Sequence, residues 1–174
     1  RRRGGRHLRG RRHGLGQRPG ELRGVGEAVR DSGIPRDDIF ITSKLNNGFH
    51  KPDDARRAFD KTLSEPGFDY VDLFLIHWPV PALDRYVEAW KGLVRLLEEG
   101  RVKAIGVSNF ELEHLDQLEL KTDVKPAVNQ VELHPYFPQA EQLAYDAGHG
   151  ILTESWSPLG RGNDLLNNPT VVRV

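Results

Sequence analysis

The chain has no cysteine and no methionine among its 174 residues. Without cysteine there is no disulfide, no thiol nucleophile and no thiolate-ligated metal. Without methionine it does not start as an ordinary translated protein does, so it reads as a piece of a larger gene product or the output of a damaged reading frame. No apolar run approaches the roughly 20 residues of a membrane span. The basic N-terminus has no apolar stretch behind it, so no signal peptide is evident and the cytoplasm is the expected location. The formal net charge is zero, so no charge of one sign dominates. That zero conceals an asymmetry: residues 1–23 hold nine Arg against the single acid Glu21, which leaves an acidic body behind a basic leader.

The leader is almost entirely Arg, Gly and His up to Gly20. Such a segment buries too little apolar surface to offset its conformational entropy and is expected to be disordered. Arg/Gly-rich segments bind polyanions through phosphate contacts, yet no aromatic residue interleaves with the arginines before Phe40. An out-of-frame reading of a GC-rich gene yields the same composition. The division expected is therefore a leader, 1–23, and a partial oxidoreductase domain, 24–174. At this length one domain with a substantial core is possible, but a complete (β/α)₈ barrel usually needs about 250 residues.

Order is expected from near Glu21, with Leu22, Val25, Ala28 and Val29 at helical spacing and Pro35 beyond Gly33. Five apolar runs follow, predicting strands over 39–43, 71–76, 104–107, 127–131 and 151–155. Between them lie amphipathic helices. One has Ala55, Ala58, Phe59, Thr62 and Leu63 on its inner face. The most regular, over about 84–99, carries Tyr86, Ala89, Trp90, Leu93, Leu96 and Leu97 and ends at Gly100. Asn109 suits the N-cap of a helix bearing Leu112, Leu115 and Leu118, and Leu143, Ala144 and Ala147 mark another. Continuous apolar strands fit burial on both faces. The expected fold is α/β, an incomplete (β/α)₈ TIM barrel with about five of its eight strands, whose reactive groups sit where the strands finish.

Polar or aromatic residues stand at each of those strand ends. Lys44 has two readings: a cation that lowers the pKa of a neighbouring acid, or a lysine reaching solvent. His77, before Trp78-Pro79, is either a hydrogen-bond donor to a substrate oxygen or a satisfied rim histidine. Trp78 either walls a substrate pocket or covers the barrel end. Ser108, Asn109 and Gln130 match a nicotinamide carboxamide, which offers one acceptor and two donors; the plainer alternatives are helix capping and loop hydrogen bonding. Trp156 can stack on a nicotinamide face or simply pack, and the backbone N–H groups around Ser157 and Leu159 suit a pyrophosphate. Five such strand ends in succession, all suited to one hydride transfer, are harder to dismiss than any one of them.

The segments Ile41-Thr42-Ser43-Lys44-Leu45, Asp69 to Pro79, Ile105-Gly106-Val107-Ser108-Asn109-Phe110, Asn129 to Tyr136 and Ser155-Trp156-Ser157-Pro158-Leu159-Gly160 resemble the aldo-keto reductase family. More narrowly they resemble its bacterial 2,5-diketo-gluconate reductase type, over about Val25 to Pro169. The resemblance implies a (β/α)₈ barrel that reduces aldehydes and ketones with NADPH, and a monomer without nucleic-acid or membrane partners. By it, Lys44 tunes a catalytic tyrosine, His77 orients the carbonyl and Trp78 lines the substrate pocket. Ser108, Asn109 and Gln130 hold the carboxamide, Trp156 stacks on the nicotinamide, and Ser157 and Leu159 lie near the pyrophosphate. It places the proton-donating tyrosine and its aspartate partner upstream of Glu21, where this chain has the Arg/Gly leader with neither residue; the first tyrosine, Tyr70, falls in an expected buried strand. The eighth strand and the segment gripping the 2′-phosphate would follow Val174. The expectation is therefore an inactive or nearly inactive chain. The alternatives are a fragment with weak nicotinamide binding or a polyanion binder acting through the leader.

Overall fold

The computed structural model describes residues 21–51 and 53–173. The expectation of disorder for the leader falls mainly on residues 1–20, outside the described residues. Residues 21–23 form the first turn of α1 (Glu21–Asp31). Thereafter strands and helices alternate: β1 (Thr42–Leu45), α2 (Asp54–Ser64), β2 (Val71–Ile76), α3 (Tyr86–Glu98), β3 (Val102–Ser108), α4 (Leu112–Thr122), β4 (Val128–Glu132), α5 (Ala140–His149), β5 (Leu152–Trp156) and α6 (Pro169–Arg173). All five strands are parallel and lie in the order of the chain, β1-β2-β3-β4-β5.

The helices cover one face of this sheet. Against it pack Phe59 of α2, Trp90, Leu93 and Leu96 of α3, and Leu115 and Leu118 of α4, with Phe74, Ile76, Ile105 and Val107 from the strands. Trp90 is fully buried, and its indole N–H reaches the carbonyl of Val124 at 3.1 Å, so its one polar atom is satisfied. The expected inner faces of α2 and α3 are the ones buried; Ala58 and Leu97 lie at their margins. On the opposite, concave face a smaller apolar group of Leu73, Leu75 and Val128 forms the floor. Gly106 belongs there because a Cβ would lie 2.6 Å from the Val128 carbonyl oxygen.

Several expectations are corrected. The first strand is 42–45 rather than 39–43, because Arg36–Asp38 form a 3₁₀ turn and Phe40 is 69% exposed. Pairing starts only where the Ile41 carbonyl meets the amides of Asp72 and Leu73, so Lys44 lies inside the strand instead of after it. In α1 the expected face is largely open: Val25 and Ala28 are exposed. The helix instead approaches through Gly26, where any Cβ would collide with Pro66, and through Arg30, which donates to the Pro66 carbonyl. Helix α5 turns Gln142 and Asp146 inward and leaves Leu143, Ala144 and Ala147 exposed. Asp146 accepts from Gln142 and from Thr153 of β5, so this helix is attached by hydrogen bonds rather than by an apolar stripe. Strand β2, in contrast, is buried at all six positions, as its unbroken run requires.

At the N-terminal end of the sheet Asp72, 4% exposed, collects the Ile41 amide, the Arg36 guanidinium and the Lys103 ammonium. Arg36 lies over the Tyr70 ring at 4.1 Å. Tyr70 thus precedes β2 at the sheet's end, with its hydroxyl donating to Asp37, and is not inside the strand. Burial pushes the Asp72 carboxyl up, but the hydrogen bonds from Ile41, Lys103 and Arg36 prevail and hold it below its usual range. Replacing Asp72 with Ala removes the acceptor that ties β1, β2 and β3 together. The expected cost is roughly 3 kcal/mol, read from the urea midpoint; an unchanged midpoint would show that the cluster does not stabilise the sheet.

His50, in the loop after β1, is 2% exposed, and neither ring nitrogen has a partner among the described residues. Burial pushes its pKa below the ordinary value. The unfolded chain takes up a proton near pH 6.5 while the folded one resists, so stability falls as pH drops below that value. His50→Leu is expected to flatten the decline in melting temperature between about pH 7 and 5, though not to abolish it, because His77 shifts in the same direction. An equal slope in both proteins would exclude His50 as a source of acid sensitivity.

Candidate active site

Pleating sends alternate residues of a strand to the same face. Strand register then decides which of them become neighbours. Lys44 pairs with Leu75, Ser108 with Gln130, Gln130 with Glu154, and Glu132 with Trp156. His77 stands two residues beyond Leu75, on the same side. The consequence is a cavity of about 420 Å³ at the C-terminal end of the sheet, lined by Lys44, His77, Trp78, Ser108, Asn109, Gln130, Trp156, Ser157 and Arg161. Its volume lies within the usual range for small-molecule sites. Of the residues singled out from sequence, only Leu159 is absent from the lining; its side chain is 62% exposed.

A chain of hydrogen bonds ties the rim together. The Trp156 indole N–H donates to Asn109 Oδ1 at 2.8 Å, and Asn109 Nδ2 donates to the His77 carbonyl at 2.9 Å and to Ser108 Oγ at 3.1 Å. Ser108 Oγ donates to the Gln130 carbonyl at 2.7 Å. The His77 backbone is also held from the other side, its N–H donating to the Leu45 carbonyl at 3.2 Å. Asn109 adopts φ 63°, the left-handed region that asparagine tolerates better than most residues. That turn swings its amide back over the strand ends, so it is not the N-cap of α4. Glu111 takes that place in a capping box closed by His114.

The charged groups are poised differently. Burial lowers the Lys44 pKa, and the negative charge of Glu154 opposes that shift. Lys44 and Glu154 belong to the two edge strands and interact without pairing, so the sheet curls toward its concave face. His77 is pushed below its ordinary value by burial and by the Lys44 charge, and its imidazole is therefore neutral at neutral pH. Neither the Lys44 ammonium nor the His77 ring has a hydrogen-bond partner among the described residues. Arg161, at φ 53° beside Ser157 at φ 52°, likewise has none. Arg161 and Glu154 were not among the site residues expected from sequence. A basic residue between Gly160 and Gly162, and a carboxylate in an otherwise weakly polar strand, were the signs available.

The donor set suits a carboxamide. Asn109 has spent both N–H groups but keeps one oxygen lone pair, and Gln130 keeps Oε1 and one N–H after giving the other to Glu154. No described tyrosine lines the cavity. Tyr70 sits at the opposite end of β2, roughly 20 Å away along six strand residues. Tyr86 is packed edge-on against Phe110 and His114, Tyr145 donates to Asp116, and the Tyr136 hydroxyl accepts from Asn168.

Consecutive parallel strands covered by helices, with a polar cavity at their C-terminal ends, define a segment of a (β/α)-barrel enzyme. The chain belongs to the aldo/keto reductase family, which residues 20–165 match. Methylglyoxal reductase DkgA of Escherichia coli is 47% identical over 150 residues, 86% of this chain and 54% of that protein. An oxidoreductase of Bacillus subtilis, YtbE, is 45% identical over 91% of this chain and 56% of its own length. The chain thus spans about half the length of the curated relatives it matches. Among solved structures, an aldo/keto reductase from Brucella melitensis superposes with TM-score 0.84 at 48% identity, over 89% of this chain and 59% of that one. A mutant of Gox0644 in complex with NADPH superposes with TM-score 0.81 at 44% identity, over 87% and 54%.

Asn109→Ala would strand the Trp156 indole N–H and one donor-linked face of His77 and Ser108. A loss of about 1–3 kcal/mol in denaturant unfolding is expected. Wild-type stability in that variant would show that the rim is held by packing alone.

Proposed function

We propose that the chain from Glu21, where α1 begins, carries the cofactor-facing part of an NADPH-dependent reductase of small aldehydes and ketones. The observation that carries the reading is the convergence of Lys44, His77, Trp78, Ser108, Asn109, Gln130, Trp156 and Ser157 on one cavity. Ser108, Asn109 and Gln130 would hold the carboxamide, Trp156 would cover the nicotinamide, and Ser157, Arg161 and the backbone near Leu159 would meet the phosphates. A guanidinium without an internal partner suits that last role. When bound, the reduced nicotinamide supplies hydride to a carbonyl carbon. His77, neutral and unpaired, donates a hydrogen bond to the carbonyl oxygen, and Trp78 walls the substrate. Lys44 contributes positive charge where negative charge develops on that oxygen.

Short oxoaldehydes are the substrate class favoured, since a relative at 47% identity is named a methylglyoxal reductase. The reading carries with it a monomer working in the cytoplasm, with no nucleic-acid or membrane partner; no helix among the described residues is long and apolar enough to cross a membrane. Because no described tyrosine reaches the cavity, proton delivery is weak. Turnover by this chain is then expected about 10²–10⁴-fold below that of a site with a placed general acid.

Titration with NADPH is expected to quench tryptophan fluorescence saturably, with methylglyoxal-dependent NADPH oxidation near background. Absence of quenching would reject the cofactor assignment, and fast oxidation would reject the statement about proton delivery. Arg161→Ala is expected to weaken NADPH binding by about tenfold and to reduce its salt sensitivity; unaltered affinity would remove Arg161 from the phosphate site.

A further inference from the structure

Gln130 and Glu154 are register partners on neighbouring strands, and Gln130 Nε2 donates to Glu154 Oε2 at 3.0 Å. An ionised carboxylate only accepts hydrogen bonds, so it can face the nitrogen end of an amide and not the oxygen end. Gln130 itself is 8% exposed and lines the cavity. Its Oε1 has no partner among the described residues, whereas its backbone carbonyl is occupied by Ser108 and Asn109. The other charge that interacts with Glu154 is the Lys44 ammonium across the concave face. Without Glu154 nothing described distinguishes the two ends of the Gln130 amide.

We propose that Glu154 is a positioning residue: it holds the Gln130 amide with its nitrogen turned aside and its oxygen presented to the cavity, as an acceptor for the NH₂ of a nicotinamide carboxamide. This rests on the cofactor assignment above. Glu154 touches neither dinucleotide nor substrate; it acts through Gln130.

The test compares binding of NADP⁺ with binding of its 3-acetylpyridine analogue, which keeps the carbonyl but carries methyl in place of NH₂. Tryptophan quenching provides the readout. The native chain is expected to prefer NADP⁺ by about tenfold. Glu154→Met should reduce that preference to about twofold, the residue coming from Asn109 Oδ1. Glu154→Gln, which still offers an accepting oxygen, should restore part of it. Equal affinity for the two nucleotides in the native chain, or a preference untouched by Glu154→Met, overturns the proposal. If neither nucleotide binds, the cofactor assignment fails, and the side-chain amide resonances of Gln130 in ¹⁵N-labelled protein decide the role of Glu154. A shift of those resonances in Glu154→Met would uphold the orienting bond, and unmoved resonances would overturn it.

Discussion

Parallel strands in register, each alternating its side chains between two faces, are the constraint on which the rest of this molecule depends. The pleat puts Leu45, Phe74, Ile76, Ile105 and Val107 toward the helices, where burial of apolar area drives folding. The same pleat obliges the residues between them to face the concave side. Lys44, Gln130 and Trp156 therefore reach the cavity not through loops of their own but as the alternate partners of core residues, and Glu154 shares their face beside Gln130. A one-residue slip of any strand would exchange the two sets. The hydrophobic core and the chemical site are, in this sense, two readings of one register.

Stability and function are divided between the two ends of the sheet. At the N-terminal end Asp72 gathers an amide, a guanidinium and an ammonium, so a buried carboxylate is fully compensated there. At the C-terminal end the charged and aromatic groups are left partly uncompensated. Lys44, the His77 ring and Arg161 have no hydrogen-bond partners among the described residues, and Asn109 and Ser157 hold left-handed backbone. Unpaired polar groups in a concave, half-buried setting weaken the folded state slightly and are the groups a ligand can satisfy.

The rim network shows how a polar side chain can serve both purposes. Asn109 braces the Trp156 indole against the His77 backbone while keeping one lone pair available. Gln130 is anchored through one end of its amide and open at the other. Fixing each group by one bond and leaving a second unmade gives orientation before any ligand arrives, which lowers the entropic cost of binding.

Sequence by itself determined the strand–helix alternation, the buried β2, the inner faces of α2 and α3, and the identity of most cavity residues. These are local matters: periodicity, unbroken apolar runs, and the habit of barrels to place polar residues where strands end. Only the tertiary structure decided that β1 starts at Thr42 and that Glu111, not Asn109, caps α4. It alone showed that α1 docks through Gly26 and Arg30 and that α5 turns Gln142 and Asp146 inward. Each of those outcomes turns on a partner distant in the chain (Asp72 for Ile41, His77 and Trp156 for Asn109, Pro66 for α1, Thr153 for Asp146). A hydrogen bond between remote residues leaves no periodic trace in the sequence, whereas burial of a helix face does.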